Sequence, residues 1–285
     1  MKALESVTEL CAWGLDSSVD RGDLNADDLR RALDSSSFQL RTKTSFADES
    51  PVLSVLAGES DPDIAARRCR VVSSGFFDAF DWNLAMVDLT KLVAFQRRVI
   101  FSTSGHTVDV SGEPLQLAFP ESAPPRFDAE RSEDGQSLTL WTGDPNFSVA
   151  VDKAHSPTAS SFSLELKTGS PFIEVAGYRG RWFLRDGYHR AFMLLRAGVK
   201  CIPAVVFSVR SIEGLGACQP WFFDEAVLFA RRPPLVMDFH DRALTVQYER
   251  PLRRKVIRVS VREEWERVEC EDELEEEQMI SRRME

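Results

Sequence analysis

Arg181-Trp182-Phe183-Leu184-Arg185-Asp186-Gly187-Tyr188-His189-Arg190, then Ala191–Ala197, Gly198 and Cys201-Ile202-Pro203-Ala204-Val205-Val206, reads as strand, tight turn, helix, turn, strand. Trp182, Phe183 and Leu184 have the aromatic and apolar character of a buried strand. Asp186 and Gly187 break that run as a turn residue and a helix N-cap do. Ala191–Ala197 are good helix formers, and Gly198 stands where a left-handed helix stop belongs. Pro203 then opens a β-branched run, at a strand start where its missing N–H does no harm.

The chemistry of this stretch lies at the helix start. The first backbone N–H groups of a helix have no partner, and the helix dipole places partial positive charge there. Arg185, His189 and Arg190 add three donors within six residues. That combination builds anion sites, most often for phosphate. The alternative is structural: Asp186 caps the helix while Arg185 and Arg190 are solvated. For Asp186 a second pair of roles also stands open, a general base or a metal holder acting through water.

Gly187-Tyr188-His189-Arg190, followed by Ala197-Gly198-Val199-Lys200-Cys201-Ile202-Pro203-Ala204-Val205-Val206, resembles the ParB/sulfiredoxin superfamily over about thirty residues. ParB proteins carry Gly-Glu-Arg-Arg here and sulfiredoxins Gly-Cys-His-Arg, each followed by a helix and an Ile-Pro strand at this spacing. The Asp-Gly-x-His-Arg form resembles a branch that includes a free-serine kinase. In ParB and sulfiredoxin the loop grips CTP or ATP phosphates. The resemblance therefore implies a nucleotide (ATP, ADP or CTP) with Mg²⁺ held through Gly187, His189 and Arg190; the residues around them add Arg185 and Tyr188 as binding candidates, and Asp186 with His189 as catalytic candidates. Tyr188 replaces the sulfiredoxin Cys, so sulfinic-acid reduction is not implied. Phe95-Gln96-Arg97-Arg98 resembles the Gln-Pro-Arg element that helps hold nucleotide in ParB-like domains, with Gln96 and Arg98 in the matching places and Arg97 where Pro would be.

The 285 residues are 43% apolar and 28% charged, as in a globular protein long enough for a full core. A net charge of −10 argues against broad binding to nucleic acid or anionic membrane. Yet Phe172–Arg210 carries seven Lys or Arg against Glu174 and Asp186. A basic island in an acidic chain fits a small anionic ligand better than a long polyanion. The five cysteines are odd in number and widely spaced, without metal-site spacing, so reduced thiols in a cytoplasm are expected. Glu5 and Glu9 interrupt any signal-peptide core, and no eighteen apolar residues run together.

The expected fold is α+β: a ParB/sulfiredoxin-like core with a helical N-terminal region, a β-rich insertion and a small C-terminal extension. Residues 1–80 read as mostly helical, with N-cap signals at Asn25 and Ser60-Asp61-Pro62 and polar, loop-like residues at Ser35–Ser37 and Thr42–Ser50. The core spans 81–210 and contains the insertion at 101–170. Strand-like runs fall there at Thr107–Val110, Leu115–Ala118, Leu138–Trp141, Phe147–Val151 and Phe162–Leu166, and a hairpin turn at Glu133–Gln136. His106 and His155 lie in this insertion and receive no role. Phe172–Ala176 and Arg181–Arg185 are expected to pair across Gly177–Gly180. Residues 211–267 read as an aromatic helix, Pro220–Ala230, and a β-hairpin, Ala243–Glu249 with Lys255–Val261; 268–285 is an acidic tail.

Two functions from different classes follow. One is a phosphotransferase or nucleotide hydrolase acting at the Asp186–Arg190 loop. The other is a non-catalytic or nucleotide-switched protein-interaction module, meeting its partner through the N-terminal region or the insertion. A nuclease-like, DNA-binding reading ranks below both, because the chain is acidic and shows no helix-turn-helix after the core.

Overall fold

A computed structural model of the chain describes residues 4–16, 19–22, 24–57, 61–102, 127–143, 147–155, 160–262 and 264. The chain is mixed α+β and divides into two compact units, 1–124 with 168–253, and 125–167 with 254–285.

In the first unit the quoted stretch supplies one edge strand and the central strand of a five-stranded sheet. Strands β9 (Glu174–Tyr178) and β10 (Arg181–Asp186) form the expected hairpin, with Arg181 opposite Tyr178. Its two-residue turn, Arg179-Gly180, has φ of 47° and 81°. Two positive φ values are the mark of the type I′ turn, whose twist matches that of the strands. Helix α3 (Tyr188–Arg196) follows β10 and buries Tyr188, Ala191, Phe192 and Leu194 along one face. Gly198, at φ 84°, ends it: the Val199 N–H returns to the Leu194 carbonyl at 2.9 Å.

Strand β11 (Cys201–Ser208) then lies parallel to β9 and antiparallel to β3 (Trp82–Asp88), and β2 (Val52–Val55) closes the order β10-β9-β11-β3-β2. Pro203 thus sits in an interior strand. It is tolerated there because β9 pairs with β11 only from Val205 onward, where the Val205 N–H reaches the Ile173 carbonyl. Two residues earlier, the same side of β11 has no β9 donor or acceptor to satisfy.

The N-terminal region is less helical than its sequence suggests. Helices α1 (Ala26–Thr42) and α2 (Pro62–Ser74) form as expected, capped by Asn25, which accepts from the Asp28 N–H at 2.8 Å, and by Asp61. But Ser35–Ser37 lie inside α1, where Ser36 is buried and its hydroxyl donates to the Leu33 carbonyl. Two strands appear as well. Besides β2, strand β1 (Leu4–Leu10) is the middle strand of an antiparallel sheet with β12 (Thr245–Pro251) and β4 (Arg98–Ser102). Glu5 and Glu9 face inward there. Arg250 Nε donates to Glu5, Arg21 grips Glu9 from Nε at 2.9 Å and Nη2 at 3.1 Å, and the Tyr248 hydroxyl donates to Glu9 at 3.1 Å. Buried acids on a strand hide its alternation from a periodicity reading.

The aromatic stretch at Pro220–Ala230 holds only one helical turn, α5 (Glu225–Leu228), after the single turn α4 (Ile212–Leu215). Phe223 instead reaches back, its N–H donating to the Phe95 carbonyl at 2.9 Å.

The second unit contains two sheets. Strands β5 (Asp128–Arg131) and β6 (Ser137–Thr142) pair across the expected turn, where Gly135 has φ 71° and Asp134 accepts from the Gln136 N–H. Strands β7 (Ser148–His155) and β8 (Ser160–Lys167) form a hairpin. Strand β13 (Lys255–Ser260) pairs with β6. So the expected C-terminal hairpin is split: β12 pairs with β1, and β13 joins the other unit's sheet. The runs at Thr107–Val110 and Leu115–Ala118, His106 and the acidic tail lie outside the described residues. Among the described residues no helix is long and apolar enough to cross a membrane.

Candidate functional site

The corner between β10 and α3 brings the quoted residues together, and the geometry there is set by Gly187. It is the N-cap of α3, at φ 93°, and a Cβ on it would stand 2.9 Å from Ile173 Cγ1. Only glycine meets both conditions without strain. Asp186, expected as the cap, is the last residue of β10 instead; its Oδ1 accepts from the Gly187 N–H at 2.6 Å. Helix α3 therefore begins without a side-chain cap. Burial, and then the nearby Glu174 carboxylate, push the Asp186 carboxyl up to about 6.

Arg185, Tyr188, His189 and Arg190 are each held by the protein, although the buried Nε of Arg185 has no hydrogen-bond partner among the described residues. The Arg185 guanidinium sits where the β9–β10 register shifts, donates to Glu174, and lies over the Phe80 and Phe207 rings at 5.7 and 5.4 Å. Arg190 donates to the carbonyls of Pro171 at 2.6 Å and Phe172 at 2.9 Å, on the same segment as Glu174. His189 is exposed; its Nε2 meets the Ile100 carbonyl at 2.6 Å and its ring stands edge-on to Phe101. Tyr188 is buried, and its hydroxyl accepts from the Phe95 N–H at 3.0 Å and, more loosely, from the Gln96 N–H at 3.4 Å. Burial pushes its phenol upward, so it stays protonated.

Of the two residues expected from the upstream element, Gln96 comes to the corner through its backbone. Arg98 does not: it lies on β4 and donates to Asp16 at 3.1 Å. Glu174 is the partner that sequence reasoning passed over. Its signal was a lone acid inside the apolar run Phe172–Ala176, on the strand expected to pair with Arg181–Arg185.

A triphosphate with Mg²⁺ needs converging cations not already held by other acceptors. As arranged, both guanidinium groups are taken up by acceptors within Pro171–Glu174, Ile173 fills the space above Gly187, and the hydroxyl of Tyr188 faces inward. The residues present do not fit the group in this geometry. Among the described residues, no three or more of His, Cys, Asp and Glu converge as a metal-ligand set. No family model, curated protein or solved structure matches the chain.

Proposed function

We propose that this chain is a non-catalytic interaction module on a ParB/sulfiredoxin-like frame, in which the β10–α3 corner is a structural joint and not a phosphate cradle. The observation that carries the reading is that the side chains at the corner are taken up by the protein: Arg185 Nη1 donates to Glu174, Arg190 to two carbonyls, His189 meets the Ile100 carbonyl, and the Tyr188 hydroxyl accepts from the Phe95 and Gln96 amides, while the buried Nε of Arg185 is left without a partner among the described residues. Moving Arg190 toward a ligand would strand two backbone acceptors, a cost comparable to what a phosphate contact returns.

A protein partner meeting the N-terminal region is supported by β2. Among the described residues it pairs only with β3, leaving its other edge open, and Leu53 and Val55 on it are 54% and 59% exposed. The edge is four residues long and irregular between Val52 and Ser54, but it carries no charge or proline, so a short strand can still be added to it.

The nucleotide-binding reading has one observation in its favour, the uncapped start of α3. Calorimetric titration of the wild-type chain with ATP, ADP and CTP, each with Mg²⁺, separates the two. The module reading expects no saturable heat up to millimolar nucleotide and no nucleoside diphosphate released on long incubation. Saturable binding that His189→Ala or Arg190→Ala abolishes in a folded variant would replace it with the nucleotide reading.

A further inference from the structure

Away from the corner, the segment after α1, the 3₁₀ turn Leu89–Lys91 and the stretch before Val236 border an open pocket of about 350 Å³. That volume sits at the small end of the range for ligand pockets, about 300–1,000 Å³. Its walls are of two kinds. Phe46, Pro233 and Leu235 supply apolar surface, while Lys43, Lys91 and Arg232 supply three cations.

The charges do not cancel. Lys43 is answered by the buried Asp238, and Lys91 by Glu49 at 2.8 Å. Arg232 has no carboxylate. Its Nε donates to the Lys43 carbonyl, which fixes the plane of the guanidinium, and its two terminal nitrogens make no hydrogen bond among the described residues. Next to it, Ser45 accepts from Arg231 Nε at 2.7 Å, which holds that wall in place, and Thr44 adds a hydroxyl. One unanswered positive charge, planar and already oriented, beside an apolar wall is the complement of a single carboxylate on an apolar body.

We propose that this pocket binds a small organic carboxylate, with Arg232 Nη1 and Nη2 forming the paired contact to its two oxygens and Phe46, Pro233 and Leu235 packing its apolar part. A cavity of about 150 Å³ suffices for benzene, so a substituted ring fits here. A phosphate monoester, with up to two negative charges, matches less well. It would need Lys91 as a second free cation, and Lys91 is paired with Glu49. This inference is independent of whether the corner holds nucleotide.

The probes are benzoate, benzamide and phenyl phosphate, read by saturation-transfer NMR and titration on the full chain. Benzoate is expected to bind, benzamide to bind at least tenfold more weakly, and phenyl phosphate no more tightly than benzoate. Arg232→Gln should weaken benzoate at least tenfold while leaving benzamide unchanged. Because Arg232 also braces Lys43, a second variant guards against a folding artefact: Ala47→Trp, at an exposed lining position, should block benzoate in a chain with wild-type thermal unfolding. Failure of benzoate to bind, equal binding of benzoate and benzamide, or benzoate binding indifferent to both variants would overturn the proposal. Phenyl phosphate binding tenfold tighter than benzoate would overturn the carboxylate assignment.

Discussion

Replacing Tyr188 by Phe changes one atom of the corner and so isolates what that atom does. The ring stays, with its edge-on contacts to Phe95 at 5.9 Å and Phe239 at 6.3 Å. The hydroxyl goes, and with it the acceptor for the Phe95 N–H at 3.0 Å, in a residue only 2% exposed. The Gln96 contact, at 3.4 Å, is long for a hydrogen bond and contributes little. A buried backbone donor left without a partner costs about 1–3 kcal/mol. Tyr188→Phe should therefore lower the unfolding free energy by that amount in urea titrations followed by tryptophan fluorescence. Tyr188→Ala, which also empties the ring's place in the core, should lose about 3–5 kcal/mol, as aromatic-to-alanine core changes do. The difference between the two variants separates hydroxyl from ring. A loss below about 0.5 kcal/mol for the Phe variant would refute the assignment of the hydroxyl as a structural acceptor, since that is the range of an ordinary surface substitution.

Three further outcomes are expected. Gly187→Ala should cost about 2–5 kcal/mol in the same assay, combining roughly 1–2 for a left-handed alanine with about 1–3 for crowding Ile173; Gly198→Ala, where a Cβ meets nothing within 4 Å, should cost only the first part. Asp186, its carboxyl raised to about 6 when folded against an unfolded value of about 3.9, binds more protons in the folded chain across that interval. Its contribution to stability is thus present below about pH 4 and lost as pH rises through 6, and Asp186→Asn should stabilise the chain at pH 7.5 relative to wild type, an advantage that shrinks at pH 4. Glu9→Ala removes the partner of Arg21, whose side chain is 10% exposed, and should cost about 3–5 kcal/mol by leaving a buried cation unpaired, measured by thermal or urea unfolding.

The β9–β10–α3–β11 segment was legible because its signals are local. Apolar runs are cut by Arg179-Gly180, Gly187 and Gly198, and each cut falls where the backbone turns left-handed. Strand β1 was not legible, because Glu5 and Glu9 look like solvent-facing residues until Arg250, Arg21 and Tyr248 are brought to them from elsewhere in the chain. The same long-range partners explain why β12 leaves its neighbour in sequence, β13, and pairs with β1. At the corner, the arginines' presence could be read from the sequence, but not their direction. Arg185 and Arg190 are five residues apart, yet a register shift sends one to Glu174 and the helix carries the other to the Pro171 and Phe172 carbonyls. Residue type sets what a side chain can bond; only the fold decides which acceptor reaches it first.

Whether the corner is a joint is tested most directly by amide hydrogen exchange of the wild-type chain with and without saturating ATP and Mg²⁺. The account predicts a Phe95 amide that exchanges only on opening of the core, and exchange across residues 185–190 that nucleotide leaves unchanged. An unprotected Phe95 amide in the free chain, or protection of 185–190 that rises on adding nucleotide, would contradict it.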